Sequence, residues 1–200
     1  MPQTVIFDLG GVLIDWNPRH LSRTLFDDEA AMEHFLATIC TPDWNEQQDG
    51  GRPVAEAVAI LAAQWPQQAP LIEAFYDRWT EMVKGPMEET VAILATLRER
   101  GTPLYALTNW SAETYPYVEH RYDFMTWFKG IVVSGREGMK KPDPRIFHLL
   151  LDRYNLDATE TVFIDDSAAN IAAAQEVGLH ALLFTSAAAL HRDLEGLALL

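Results

Sequence analysis

The sequence predicts an α/β fold: a doubly wound parallel sheet, interrupted after its first strand by a block of helices. Three observations carry this reading. From residue 86 onward, short apolar runs ending in acids or hydroxyls alternate with amphipathic helical patterns. The first apolar run, residues 3–8 (QTVIFD), is apolar on both faces, as a strand in the middle of a parallel sheet must be. Residues 18–84 show helical spacing and no convincing strand. The domain reading is therefore a Rossmann-like core from residues 1–17 and 85–200, with a helical domain from residues 18–84 inserted into it.

Each element has a local reason. Val5 and Ile6 favour a strand, and Gly10-Gly11 breaks it. LSRTLF, EAAMEHFLATI, VAEAVAILAAQW and APLIEAFYDRWTEMV give about four helices, separated at Thr41-Pro42, Asp49-Gly50-Gly51 and Pro66. MEETVAILATLRERG is an amphipathic helix that Gly101 stops. Strands follow at 103–108 (PLYALT), 130–134 (GIVVS), 161–166 (TVFIDD) and 180–185 (HALLFT). Between them lie the helices PRIFHLLLDRYN, with Pro144 near its start, and NIAAAQEVG, stopped by Gly178. The final AAALHRDLEGLALL reads as a packing helix.

Composition narrows the function. Fifteen basic residues stand against 29 acidic ones, a net charge of −14, which repels a nucleic-acid backbone. An anionic small substrate remains compatible, because a bound metal or one buried lysine reverses the field locally. The lone Cys40 allows no intrachain disulfide, in keeping with a reducing compartment. No apolar run approaches the roughly 20 residues a membrane span needs. The N-terminus lacks a basic segment, and Asp8 interrupts the place of a signal peptide's apolar stretch, so the chain reads as cytoplasmic. A monomer and a homodimer both fit.

The polar residues that matter sit where strands end. Asp8 ends the first strand, Thr108 and Asn109 the second, and Asp165 and Asp166 the fourth, while Lys141 follows the third after a short loop. Ligands of open α/β sheets bind beyond the carboxyl ends of the strands, so these residues are expected to converge. Clustered carboxylates repel one another, and the usual remedy is a hard cation such as Mg²⁺. A lysine beside them holds an anionic oxygen, a threonine hydroxyl donates to another, and a carboxylate aimed at phosphorus acts as a nucleophile.

In this order, FDLGGVLID, LTNWS, MKKPDPRIF and FIDDSAANIAAAQEVG resemble the motifs of the haloacid dehalogenase-like hydrolase superfamily. The resemblance spans residues 4–16 and 103–185, and the inserted helices resemble that family's C1-type cap. In detail the chain is most similar to bacterial sugar-phosphate phosphatases, near the glucose-1-phosphate type, and to the N-terminal phosphatase domain of soluble epoxide hydrolases. The resemblance implies Mg²⁺-dependent hydrolysis of a small phosphorylated metabolite. It makes Asp8 the nucleophile, Thr108 the phosphate-binding hydroxyl with Asn109 beside it, and Lys141 the charge-balancing lysine. It makes Asp8 and Asp166 direct metal ligands, Asp165 the adjacent acid that reaches the metal directly or through water, and Gly10 the donor of a carbonyl to the metal. Backbone amides near Leu9 would orient the phosphoryl oxygens, and Lys140 is expected to point elsewhere.

One position departs from the pattern. Most phosphatases of this family carry a second Asp two residues after the nucleophile, as general acid and base. Here that residue is Gly10, and the nearest spare carboxylate in sequence is Asp15. Leaving-group protonation contributes about 10²–10⁴-fold. The gap keeps two alternatives open: a 2-haloacid dehalogenase, and a catalytically inactive protein that binds a phosphorylated ligand. The Asp165-Asp166 pair favours the phosphatase, since it burdens a metal-free site and repels a haloacid's carboxylate.

The tryptophans supply candidate walls. Trp16 follows the nucleophile loop and Trp110 follows Thr108, so both are placed to line the crevice. Trp65 and Trp79 sit at helical spacing and read as core. Trp44, with Asn45, Asp49 and Arg52, falls in a turn-rich break of the helical block, read as the loop that sieves substrates. The six histidines form no metal-binding pair.

Overall fold

The computed structural model describes residues 2–200. In chain order the elements are β1 (Thr4–Phe7), β2 (Ile14–Trp16), α1 (Pro18–Ser22), α2 (Glu29–Thr38), α3 (Pro42–Asp49), α4 (Val54–Gln64) and α5 (Ala69–Asp77). After them come β3 (Val83–Pro86), α6 (Glu88–Glu99), β4 (Leu104–Thr108), α7 (Pro116–Glu119), β5 (Gly130–Val133) and α8 (Ser134–Glu137). The chain finishes with α9 (Pro144–Tyr154), β6 (Thr161–Asp165), α10 (Ala168–Glu176), β7 (His180–Leu183) and α11 (Ala187–Gly196). The main sheet is five-stranded and parallel, in the order β5-β4-β1-β6-β7. The expected doubly wound architecture is present, with the helical insertion after β1.

Strand alternation divides the core in two. Val5 and Phe7 face one side of β1, in a cluster that includes Leu94 and Leu97 of α6 and Leu190 and Leu194 of α11. Ile6 faces the other, against Ile146 and Leu150 of α9 and Ile171 and Ala174 of α10. Helices thus cover both faces, which is why β1 has no polar face in the sequence. The middle position of β1, between β4 and β6, brings the tips of three strands together at one edge.

A feature absent from the sequence reading is the antiparallel pairing of β2 with β3. These strands are the entry to and exit from the insertion, joined further by Asn17 N–H to the Met82 carbonyl (2.9 Å) and Met87 N–H to the Leu13 carbonyl (2.9 Å). Asp15, Lys84, Gly85 and Pro86 give this ribbon no alternating apolar signal. The boundary read at 84/85 falls inside β3, and that at 17/18 beside Asn17, the N-cap of α1.

Two expectations within the insertion are corrected. The segment around Trp44 is helix α3 rather than a turn-rich loop: Thr41 Oγ1 accepts from Trp44 N–H (3.1 Å) and Pro42 starts the first turn. Its sequence PDWNEQQD is polar, so no apolar period announced it. Trp65 is 41% exposed rather than core. Pro66 separates α4 from α5, so a spacing counted across it places nothing on a common face. Trp79 is buried as expected.

Candidate active site

Lys141 organises the carboxyl edge of the sheet. Its side chain is fully buried, and its three ammonium protons have three oxygens to meet. Nζ lies 2.6 Å from Asp165 Oδ2, 2.8 Å from the Leu107 carbonyl and 3.1 Å from Asp8 Oδ1. Burial alone would push the ammonium down, but Asp8 and Asp165 outweigh it and raise its pKa, keeping it charged. Asn109 fixes the backbone beneath it: its side chain donates to the Lys141 carbonyl and accepts from Lys141 N–H, both at 2.9 Å. Lys140 points away, as expected, to Glu46 of α3 (2.7 Å).

The two acids at the end of β6 differ sharply. Asp165 is wholly buried and committed: besides Lys141, it accepts from Asn170 (3.0 and 3.1 Å) and from Ser167 N–H (2.8 Å). Asp166 is exposed at the crevice, and burial of its inner part, with Asp165 beside it, raises its pKa. Its carboxylate lies over Gly11, whose φ is +74° and where a Cβ would collide with it. Asp8 accepts from Leu9 N–H (2.7 Å) on the same Oδ1 that faces Lys141. Burial, opposed by Lys141 and reinforced by Asp165, lifts the Asp8 carboxyl to about 7.

Asp8, Asp165 and Asp166 each offer a carboxylate oxygen, all within 4.8 Å of one another. One lysine against three carboxylates leaves two negative charges uncompensated at a buried edge. Hard oxygen donors in that arrangement suit a divalent cation such as Mg²⁺. Thr108 adds a hydroxyl to this edge: it is buried at the tip of β4 without a hydrogen-bond partner among the described residues.

The crevice opens under the insertion as a cavity of about 630 Å³, lined by Asp8, Gly10, Asn109, Lys141 and Asp166 below and by α2, α3 and α5 above. Trp16 lines it, as expected. Trp110 and Trp16 also bound a smaller pocket beside Gly10, with Asn45, Asp49 and Tyr76. Trp44 is not among the lining residues. It is buried against Phe75 (ring centroids 5.4 Å) and Tyr76 (5.5 Å), and Phe75 forms the wall instead. Asp15 turns to His20 (2.9 Å) and borders a separate hollow with Met87 and Phe184.

Sequence reasoning missed Asn170, which grips both oxygens of Asp165, and the wall residues Arg19, Leu36, Cys40 and Phe75. Asn170 had a signal, a polar residue in the first turn of a helix five positions after the acid. The wall had none: Leu36 and Phe75 sit on helices at ordinary apolar spacing, Arg19 is a charged residue of the short α1, and Cys40 lies beyond the end of α2.

This chain resembles known proteins along most of its length. It is 28% identical over 195 residues to a sesquiterpene phosphatase of Aspergillus oryzae, covering 98% of this chain and 96% of that protein. It also matches two longer proteins, of which it covers 34% and 12%. Among solved structures, a HAD family enzyme of Bacteroides thetaiotaomicron, in complex with magnesium and inorganic phosphate, superposes with TM-score 0.68 at 21% identity, covering 92% of this chain and 95% of that one. The L-2-haloacid dehalogenase of Xanthobacter autotrophicus superposes with TM-score 0.65 at 14% identity, covering 98% and 83%. The pattern of the haloacid dehalogenase-like hydrolases matches residues 2–178. With an acidic centre at the carboxyl edge of a parallel sheet, and that match over most of its length, the chain belongs to the haloacid dehalogenase-like hydrolase family.

Proposed function

We propose that this protein is a Mg²⁺-dependent phosphatase of small phosphate monoesters, sugar-phosphate-like in size and polarity, working through an aspartyl-phosphate on Asp8. The observation that carries the reading is the buried Asp8–Lys141–Asp165 array with Asp166 beside it. Asp8, Asp166 and the Gly10 carbonyl would hold Mg²⁺, which supplies charge neutralisation at the phosphoryl oxygens. Asp165 belongs to the same cluster, but its oxygens are taken by Lys141, Asn170 and Ser167, so it acts as the anchor of the lysine.

Asp8 attacks phosphorus, and the leaving oxygen departs with its electron pair. Lys141 balances charge on the phosphoryl group, and the free hydroxyl of Thr108 donates to it. Leu9 N–H holds Oδ1 of Asp8, which leaves the carboxylate one oriented oxygen for attack. Asn109 acts by fixing Lys141. Water then cleaves the aspartyl-phosphate. Residues 18–84 serve as the cap, with Trp16 as a wall and Trp44 supporting Phe75 from behind. Two observations favour a second substrate class, an alkyl phosphate with an apolar leaving group. Leu36, Cys40 and Phe75 line the same cavity, and the Aspergillus relative is a sesquiterpene phosphatase. The physiological setting we infer is cytoplasmic.

The test is phosphate release from a panel of sugar and alkyl phosphates, with and without Mg²⁺, beside halide release from 2-chloropropionate. Release of phosphate that chelation stops and Asp8→Asn abolishes is expected. Chelator-indifferent halide release would establish the dehalogenase instead. Phosphorylated ligands that raise the melting temperature without turnover would establish a binding protein.

A further inference from the structure

We propose that Asp49, carried on helix α3 of the insertion, is the proton donor to the leaving group and takes the place of the acid missing at Gly10. This rests on the phosphatase reading above.

The position two residues after the nucleophile carries no side chain. A Cβ at Gly10 would meet the Trp110 ring at an ordinary contact distance of 3.7 Å, so that ring flanks the place an acid's side chain would take. With no acid on the nucleophile loop at Gly10, the donor comes from the insertion that roofs the cavity. Asp49 lines the large cavity together with Asp8 and Asp166, and the small pocket together with Gly10, Asn109 and Trp110. The other carboxyls of the cavity are committed. Glu33 is bound by both arms of Arg19 (2.6 and 2.7 Å), which holds its pKa low. Glu46 pairs with Lys140, and Asp8 and Asp166 belong to the metal cluster.

Asp49 is held by a hydrogen-bond chain in which each donor faces the same way. Arg52 Nε donates to Gln48 Oε1 (2.8 Å), and Gln48 Nε2 to the Tyr76 hydroxyl (3.0 Å). The Tyr76 hydroxyl donates to Asn45 Oδ1 (2.9 Å), and Asn45 Nδ2 to Asp49 Oδ2 (3.4 Å). Gln48 in the middle is fully buried, where an unmet amide is costly. A core-facing polar chain of four residues that terminates on a carboxyl in the reaction cavity is an orienting device for that carboxyl. Arg52, Gln48, Tyr76 and Asn45 are positioning residues.

The same residue is latched to the core. Ser134 Oγ donates to the Asp49 carbonyl (2.6 Å) and accepts from Trp110 N–H (2.9 Å). Glu113 accepts from Val54 N–H (2.8 Å), and Lys140 grips Glu46 (2.7 Å). Gly51, at φ +103°, packs onto Gly135 and Gly138. Asp49 therefore reaches the centre only when the insertion is docked, so the proton arrives with exclusion of solvent.

The groups facing Asp49 set its titration. Burial lifts its carboxyl to about 7, Glu46 adds to the rise, and Ser111 N–H and Lys140 oppose it. Tyr76, the remaining titratable neighbour from α5, has its hydroxyl pushed up by burial and stays neutral. An acid near the working pH is the efficient kind.

The proton balance closes. As Asp8 forms its bond to phosphorus, the bond from phosphorus to the leaving oxygen breaks with its electron pair, and that oxygen takes the Asp49 proton. The Asp49 carboxylate then takes a proton from water as the water oxygen bonds to phosphorus. The phosphorus–Asp8 bond breaks with its pair to Asp8, releasing inorganic phosphate.

The experiment compares kcat/KM for the best alkyl phosphate of a panel with that for 4-nitrophenyl phosphate, whose leaving phenolate needs no proton. In Asp49→Asn the alkyl value is expected to fall by about 10²-fold or more, and the aryl value by less than tenfold. In the unmutated enzyme, kcat/KM for the alkyl ester should fall above about pH 7, where Asp49 loses its proton, while the aryl ester lacks that limb. Tyr76→Phe should displace the limb. Equal losses on both esters, or an identical alkaline limb on both, would overturn the assignment of Asp49 and leave the phosphatase reading standing. Absence of Mg²⁺-dependent phosphate release from every ester would overturn both.

Discussion

Replacing Lys141 with methionine tests the electrostatics of the centre directly. Methionine fills most of the aliphatic volume but removes three contacts: 2.6 Å to Asp165, 2.8 Å to the Leu107 carbonyl and 3.1 Å to Asp8. Breaking a buried pair from one side typically costs about 3–5 kcal/mol, because the remaining charge is stranded. At about 2–4 °C per kcal/mol for a domain of this size, the melting temperature at pH 7.5 should drop by roughly 6–20 °C. The sign with pH follows from the acids left behind. Without the lysine, the folded-state pKa of Asp8, already about 7, rises further. A raised folded pKa gives stability that is present at low pH and lost as pH climbs through it. The deficit of the variant should therefore shrink toward pH 5 and widen above pH 7. Adding Asp165→Asn should return part of the loss, as a double-mutant cycle measured by thermal and urea unfolding. A melting temperature within 2 °C of the parent, flat across this pH range, would falsify the claim that Lys141 compensates buried negative charge.

Two further outcomes follow from the local geometry. Gly11→Ala forces a left-handed backbone, costing about 1–2 kcal/mol, and drives the Asp166 carboxylate from its seat. Calorimetric titration should then show Mg²⁺ affinity weakened by roughly 10–100-fold. Cys40 is 3% exposed, and burial pushes its thiol up to about 12. It should resist iodoacetamide at pH 8 in the folded protein and react once urea unfolds it; rapid alkylation of native protein would contradict its placement.

Much of the centre could be read from the chain because strands of a parallel sheet announce themselves as apolar runs, and each run's polar end marks the crevice. Asp8, Thr108 and the acids at 165 and 166 stand at such ends, Lys141 lies a few residues beyond one, and the structure brings Asp8, Lys141, Asp165 and Asp166 into one cluster. What the chain hid was carried by side chains rather than by period. Helix α3 has no apolar face in its sequence and is set instead by Thr41 and Pro42. The line from Arg52 to Asp49 runs through Tyr76, 31 positions from its partner Asn45, so no local spacing could reveal it. Asn109 was legible as a strand-end residue, but its grip on the Lys141 backbone depends on how two loops meet.

The ribbon of β2 and β3 has an architectural consequence. The polypeptide leaves the sheet and returns to it through neighbouring strands, joined at Ile14–Pro86 and Asp15–Gly85. Whatever is strung between those points, the sheet meets a gap of one strand spacing. A longer, shorter or wholly different roof could be spliced there without disturbing the floor, so chemistry and selectivity are written on separable stretches of one polypeptide.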